Sequence, residues 1–96
     1  MEKVEDFLNH VEMLIRLGHI FGRVDMFDDL VDGGYYFHVE ISNLLINIYP
    51  HWDKDGNPFY EVEVMDNKWD TQILHRIVRS DDEIITVKNA IECYTI

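Results

Sequence analysis

The chain has 96 residues, of which 47% are hydrophobic and 28% are charged. This length and composition indicate one globular domain, and they exclude a disordered chain and two independent cores. The 19 acidic residues against 8 Lys and Arg residues give a formal net charge of −11, which argues against direct binding to nucleic acid or to an anionic membrane surface, because both need positive patches.

Cysteine content and hydropathy limit the cellular setting. Cys93 is the only cysteine, so an intramolecular disulfide bond is excluded and a thiolate zinc site is not expected. Residues 1–6 are charged and show no secretory signal, and no run of the sequence reaches the ~20 apolar residues of a membrane-spanning helix. We therefore expect a cytoplasmic protein in a reducing compartment.

Apolar residues at helical spacing open the sequence. The stripe contains Val4, Phe7, Leu8, Val11, Leu14, Ile15 and Leu17. Acidic residues lead this segment, Arg16 lies in its last turn, and Gly18 follows as a stop signal. The pattern predicts a helix over Glu2–Leu17, whereas residues 19–24 fit either a short strand or a connector.

Four aspartates dominate the next segment. Asp25, Asp28, Asp29 and Asp32 have the spacing i, i+3, i+4 and i+7, and apolar residues fall on the opposite side. This pattern predicts a two-turn amphipathic helix that is closed by two glycines at 33 and 34. An irregular acidic loop is the alternative, because Asp is a poor helix former and Asp32 opposes the helix dipole.

From Tyr35 the period of the sequence changes to two. Tyr35, Phe37, Val39 and Ile41 alternate with Tyr36, His38, Glu40 and Ser42. A tight turn at 42–43 leads into a strand over 44–49, residues 50–58 have the composition of a loop, and 59–65 alternate again. We predict a three-stranded antiparallel meander over residues 35–65.

The last third of the chain contains one ambiguous segment and one clear helix. Residues 69–79 fit a strand or a helix. Ser80 and Glu83 have the spacing of a capping box, so a strand at about 70–79 followed by a helix over 81–93 is favoured. The predicted fold is a single α+β domain over 1–96. It has an antiparallel sheet of three to four strands, with the N-terminal and C-terminal helices packed on one face. The other face stays open and carries His38, Glu40, Glu61 and Glu63.

The sequence predicts no catalytic residue, no metal ligand and no cofactor. A calcium loop that starts at Asp53 fails, because Pro58 and Val64 stand where an EF-hand needs Gly and Glu. The 5 histidines lack metal-ligand spacing, and Cys93 has no fixed histidine partner. A non-enzymatic protein is therefore expected.

Clusters of acidic residues are the strongest functional signal. Carboxylates at regular spacing can occupy cationic pockets that otherwise bind a row of phosphates. Three clusters are predicted to bind a partner together with the aromatic anchors Tyr36 and Trp52: they are Asp25, Asp28, Asp29 and Asp32, then Glu40, Glu61 and Glu63, then Asp81, Asp82 and Glu83. Tyr35, Tyr49 and Trp69 are further candidate anchors.

The expected partner is a basic protein, either a nuclease or another nucleic-acid-binding protein, whose site the acidic chain blocks. In size and charge the chain is similar to phage-encoded DNA mimics, such as anti-CRISPR and anti-restriction proteins, and to immunity proteins of nuclease toxins. No motif carries this likeness, so no residue roles are transferred. The alternative is an accessory or structural subunit, including a homodimer, that acts through an apolar helix face or a strand edge.

Overall fold

A computed structural model of the chain describes residues 2–30, 33–68 and 70–95. The elements follow in the order α1 (Glu2–Phe21), β1 (Asp25–Asp28), β2 (Tyr35–Ile41), β3 (Leu44–Trp52), β4 (Pro58–Asp66), β5 (Thr71–Val78) and α2 (Asp81–Tyr94). The strands form one antiparallel sheet whose spatial order is the order along the chain. The predicted α+β fold is confirmed, but the described residues form five strands rather than three to four.

Alternating side chains of the central strands build the core between the sheet and the helices. The sheet contributes Phe37, Val39, Leu44, Ile46, Ile48, Tyr60, Val62, Val64 and Val78. Met13 and Leu17 enter this core from α1, and Ile84, Val87 and Ile91 enter it from α2. Both helices therefore cover the same face of the sheet, as the sequence predicted.

Helix α1 is one turn longer than predicted, because Gly18 does not stop it. The helix continues to Phe21, which packs partly against the core together with Ile20. Gly22 ends it with a φ of 88°, and its amide donates to the carbonyl of Gly18 at 2.8 Å. A left-handed residue after the last turn is the usual place for glycine.

The predicted amphipathic helix over 25–32 is wrong, because Asp25–Asp28 forms strand β1. This strand pairs with Tyr35–His38 of β2, and Met26 packs against the core. Asp29 and Gly34 close the hairpin with a backbone hydrogen bond of 2.9 Å. Pairing with an existing strand wins over the weak helix propensity of a segment rich in aspartate. Asp32 lies outside the described residues, as does the candidate anchor Trp69.

Strand β3 runs through part of the segment predicted as a loop. Its pairing with β4 extends to Trp52, and the loop contains only residues 53–57. Proline has no amide proton to donate to a neighbouring strand. Pro50 is tolerated because the pairing of β3 with β2 reaches only to Ile48. The turn at 42–43 forms as predicted, with Ser42 at a φ of 57°.

Helix α2 begins at a cap that matches half of the predicted capping box. The hydroxyl of Ser80 accepts a hydrogen bond from the amide of Glu83 at 3.2 Å. The carboxylate of Glu83 accepts from the amide of Arg79 at 2.9 Å, and not from that of Ser80 as predicted. Strand β5 occupies the ambiguous segment, so the strand interpretation is confirmed.

Candidate functional surface

The sheet face that points away from the helices is called the open face. Cross-strand pairing aligns His38 with Asn47, Asn47 with Glu63, and Glu63 with His75, so these side chains share this face. Glu40, Glu61 and Asp25 join them by the alternation of their strands. The predicted placement of His38, Glu40, Glu61 and Glu63 on an open face therefore agrees with the register of the sheet.

Three aromatic rings cross the open face from β1 to β3 and form an aromatic ladder of Phe27, Tyr36 and Tyr49. The ring centroids of Phe27 and Tyr36 are 5.7 Å apart, and those of Tyr36 and Tyr49 are stacked at 5.4 Å. Phe27 is 46% exposed. Aromatic pairs on neighbouring strands stabilise a sheet, and they also give its surface a rigid apolar strip.

A chain of polar contacts fixes the carboxylate of Glu63. Its Oε1 accepts a hydrogen bond from the side-chain amide of Asn47 at 3.4 Å, and its Oε2 accepts one from the side-chain amide of Gln72 at 3.1 Å. The Oδ1 atom of Asn47 lies 2.9 Å from Nδ1 of His38, whose Nε2 lies 3.3 Å from Oε1 of Glu40. Glu40 and Glu63 are therefore linked across three strands.

Two histidines hold the carboxylate of Glu61 from opposite sides. Nε2 of His75 donates to Oε2 at 2.5 Å, and Nε2 of His51 donates to Oε1 at 3.2 Å. The hydrogen bond from His75 is the main cause that lowers the pKa of Glu61, and the hydrogen bond from His51 adds to it. Partial burial opposes this change. Glu61 therefore carries its negative charge at neutral pH.

The pKa of the Tyr49 phenol is affected by the carboxylates around it. Burial raises the pKa of Tyr49, and the carboxylates of Glu63, Asp29 and Glu61 raise it further. Loss of a proton there would add a negative charge beside existing ones. The field at the centre of the open face is thus negative.

A cleft of about 740 Å³ opens where β3 extends past the start of β2. Glu61, Glu63, Tyr49 and His51 line it from the sheet. The other described residues that line it come from α1, from the β1–β2 hairpin and from the neighbouring strand ends: they are His10, Asp29, Gly33, Tyr35 and Pro50. His10 is buried, with 3% of its surface exposed.

The other predicted binding residues are divided between two sides of the molecule. Asp25 lies on the open face, with its carboxylate 3.9 Å from Arg23, and Tyr36 belongs to the aromatic ladder. Asp28 aligns with Tyr35 on the helix side, and the ring of Trp52 packs against His10 at 5.4 Å. Asp29 lines the cleft.

The third acidic cluster lies apart from the open face. Asp81, Asp82 and Glu83 form the first turn of α2, where the oxygen of Asp81 lies 4.0 Å from Arg16 of α1. Acidic side chains at this end of a helix interact favourably with its dipole. The three predicted clusters therefore do not form one continuous surface.

Metal-binding geometry is not found in the described ranges. No group of three His, Cys, Asp or Glu residues there is arranged to hold a metal ion. The carboxylate of Asp53 instead accepts hydrogen bonds from the amides of Asp55 and Asn57, each at 2.9 Å, and so organises the β3–β4 turn.

Sequence reasoning missed the roles of Phe27, His51 and His75. Phe27 lies in the segment that the sequence predicts as an amphipathic helix, and the spacing of the histidines predicts no shared site. If β3 continues through Pro50, its alternation places His51 beside Glu61, so the strand period held the signal for this histidine. His75 required the register of β4 and β5, which includes an irregularity near Met65.

Comparisons with family models, with curated proteins and with solved structures find no match to this chain. Among the described residues, neither helix has the length and apolarity that a membrane crossing requires.

Proposed function

We propose that the chain is a non-enzymatic inhibitor or adaptor that binds a basic, nucleic-acid-handling protein through the open face. One observation supports this most strongly. Within the described residues, Glu40, Glu61 and Glu63 pair with histidine and amide side chains and not with lysine or arginine. The open face therefore presents three fixed carboxylates that have no lysine or arginine partner among the described residues.

The fixed carboxylates suit a cationic groove for two physical reasons. Residues two apart on a strand are separated by roughly 6.8 Å, so Glu61 and Glu63 present a short row of charges at one height above the sheet. Their hydrogen bonds limit side-chain motion before binding, so less conformational entropy is lost when a partner binds. Opposite charge also accelerates association and makes it sensitive to salt.

The aromatic ladder supplies an apolar contact beside these charges. Charged pairs at an interface give specificity and association rate, whereas aromatic residues contribute most hot spots of binding energy. Tyr49 lies next to Glu61 of β4 and stacks on Tyr36, so both kinds of contact fall within one surface. A partner that covers the open face meets charge and aromatic surface together.

The experiment is capture of the partner followed by competition. The immobilised protein is used to isolate a partner from a lysate of the native host, and the purified partner is then titrated with DNA or RNA. We expect nucleic acid to displace the chain from the partner, and we expect binding to weaken steeply as salt increases. If nucleic acid and the chain occupy the partner together without interference, the proposal is contradicted.

A second function, that of an accessory subunit, is favoured by a different surface. Val4, Leu8 and Ile15 lie on the outer side of α1 and are 60%, 51% and 58% exposed. They recur at helical spacing and are separate from the core stripe of Met13 and Leu17. Binding to the partner that persists at high salt and depends on Leu8 would indicate this second function.

A further inference from the structure

The cleft beside the open face has the size of a binding site for a side chain or a small ligand. Its volume of about 740 Å³ lies within the range of about 300–1,000 Å³ that is common for ligand sites. Its walls combine carboxylates, imidazoles and phenol rings from α1, β2, β3 and β4. An anion would meet Glu61 and Glu63 in this cleft, so a positively charged occupant is favoured.

The carboxylates in the cleft keep acceptor capacity after their internal hydrogen bonds are counted. Each oxygen of Glu61 accepts from one histidine, and each oxygen of Glu63 accepts from one amide group. A carboxylate oxygen has two lone pairs, so every one of these oxygens can accept a second donor. An occupant with several N–H groups can satisfy them without breaking the existing network.

His10 gives an independent indication of a donor ligand. The imidazole lines the cleft and is 97% buried, since only 3% of the residue is exposed. Its Nδ1 donates to the carbonyl of Asp6 at 2.7 Å, so Nε2 is the acceptor atom of the neutral ring. Nε2 has no hydrogen-bond partner in the described part of the chain. An acceptor in the lining of the cleft is available to a ligand that donates a hydrogen bond.

The phenol rings in the cleft favour a guanidinium group over an ammonium group as the bound cation. Tyr35 and Tyr49 both line the cleft, and burial together with the nearby carboxylates of Glu63, Asp29 and Glu61 raises the pKa of Tyr49. A guanidinium group is planar, has five N–H donors, stacks on aromatic rings and is weakly hydrated. An ammonium group is strongly hydrated and has three donors. The mixture of rings and spread acceptors fits the guanidinium group better.

We propose that the cleft receives an arginine side chain of the partner protein, with its guanidinium group between the carboxylates of Glu61 and Glu63. This inference rests on the proposed function, because it names the side chain through which a basic partner is held. It also gives the open face a specific point of attachment, in addition to its overall negative charge.

The test uses three capped amino acids with unbranched side chains that end in different head groups. Isotope-labelled protein is titrated with N-acetyl-arginine amide, N-acetyl-lysine amide and the uncharged N-acetyl-citrulline amide, and backbone amide shifts are followed by NMR. We expect saturable shifts at Tyr49, His51 and Glu61 with the arginine compound, weaker binding of the lysine compound, and no saturable shift with citrulline. Equal binding of arginine and citrulline, or linear shifts spread over the acidic surface, would overturn the proposal.

A matched pair of variants locates the site. Glu63→Gln removes one charge from the cleft but keeps an amide of similar shape, and we expect the dissociation constant of the arginine compound to rise about tenfold. Glu92→Gln removes one charge from α2 and should leave it unchanged. Equal effects of both variants would show a general charge effect and contradict the site. If the arginine compound does not bind but nucleic acid still displaces the whole protein from its partner, this inference fails alone. If the arginine compound binds in the cleft but nucleic acid does not displace the protein from its partner, the proposed function alone is contradicted.

Discussion

Tyr60 carries a hydroxyl group into the interior, where only 3% of the residue is exposed. Among the described residues this hydroxyl has no partner with hydrogen-bond geometry. Burial raises the pKa of Tyr60, and the nearby guanidinium of Arg16 offsets part of that rise. A buried polar group without a partner costs stability, because its hydrogen bonds to water are lost on folding.

We therefore expect Tyr60→Phe to increase the free energy of unfolding by about 1 kcal/mol near neutral pH. The pH dependence has a definite sign. Because the pKa is raised in the folded state, the unfolded chain releases this proton first, so stability is lost as the pH rises above about 10. The variant should lose less stability there.

Urea denaturation at neutral and alkaline pH measures both effects. Tyr94→Phe is the control, because Tyr94 is 62% exposed. This control should leave the free energy of unfolding at neutral pH nearly unchanged. Destabilisation by Tyr60→Phe at neutral pH would show that the hydroxyl makes a stabilising bond, with Arg16 as the nearest candidate.

At the scale of elements, two glycines of α1 make opposite predictions. Gly18 lies within the helix and a Cβ there would meet nothing within 4 Å, whereas Gly22 has a φ of 88°. Gly18→Ala should stabilise the protein by roughly 0.5–1 kcal/mol, because alanine loses less backbone entropy in a helix. Gly22→Ala should destabilise it by about 1–2 kcal/mol, because a left-handed conformation strains a residue with a Cβ.

The midpoints of thermal unfolding for these two variants test where α1 ends. If Gly18→Ala were the destabilising change and Gly22→Ala were neutral, the helix would end at Gly18, as the sequence pattern indicated. Both variants replace a glycine by an alanine, so opposite changes in the unfolding midpoint must come from the backbone conformation at the two positions.

The elements that could be predicted from sequence are those whose periodicity is long. Alternation over 35–41 and over 59–65 fixed both the strands and their buried faces, since a shift of one residue would expose every core side chain. Strand β1 has four residues, too few to show a period of two, and its aspartates also fit helical spacing. Only its pairing with β2 decides between them, and such pairing is a property of the folded chain.

The candidate site could be predicted only in part, for a similar reason. Glu40, Glu61 and Glu63 were assigned to one face because each lies in a strand of clear alternation. The contacts of Glu61 with His51 and His75 depend on a strand that passes through Pro50 and on the register of an edge strand. Local sequence does not encode those alignments, so the histidines looked unrelated.

At the scale of the whole molecule, the net charge is −11, and the carboxylates that contribute to it have different neighbours in different regions. On the open face, the carboxylates of Glu40 and Glu61 lie beside histidines and that of Glu63 lies beside amide groups, whereas the carboxylate of Asp81 in the first turn of α2 lies near Arg16. Like charges destabilise a compact state, so a surface that keeps fixed carboxylates without lysine or arginine partners is one where function can outweigh stability. This separation makes the two acidic regions experimentally distinguishable.

The most direct measurement compares the salt dependence of partner binding for two variants that each remove three negative charges. One is Glu40→Gln, Glu61→Gln and Glu63→Gln on the open face, and the other is Asp81→Asn, Asp82→Asn and Glu83→Gln on α2. Isothermal titration with the captured partner should show that the open-face variant loses binding free energy, on the order of 1.5 kcal/mol for each close charge pair. Its affinity should also depend less on salt concentration. The α2 variant should bind nearly as the unchanged protein does. Equal losses in both variants, or undiminished binding by the open-face variant, would contradict the account.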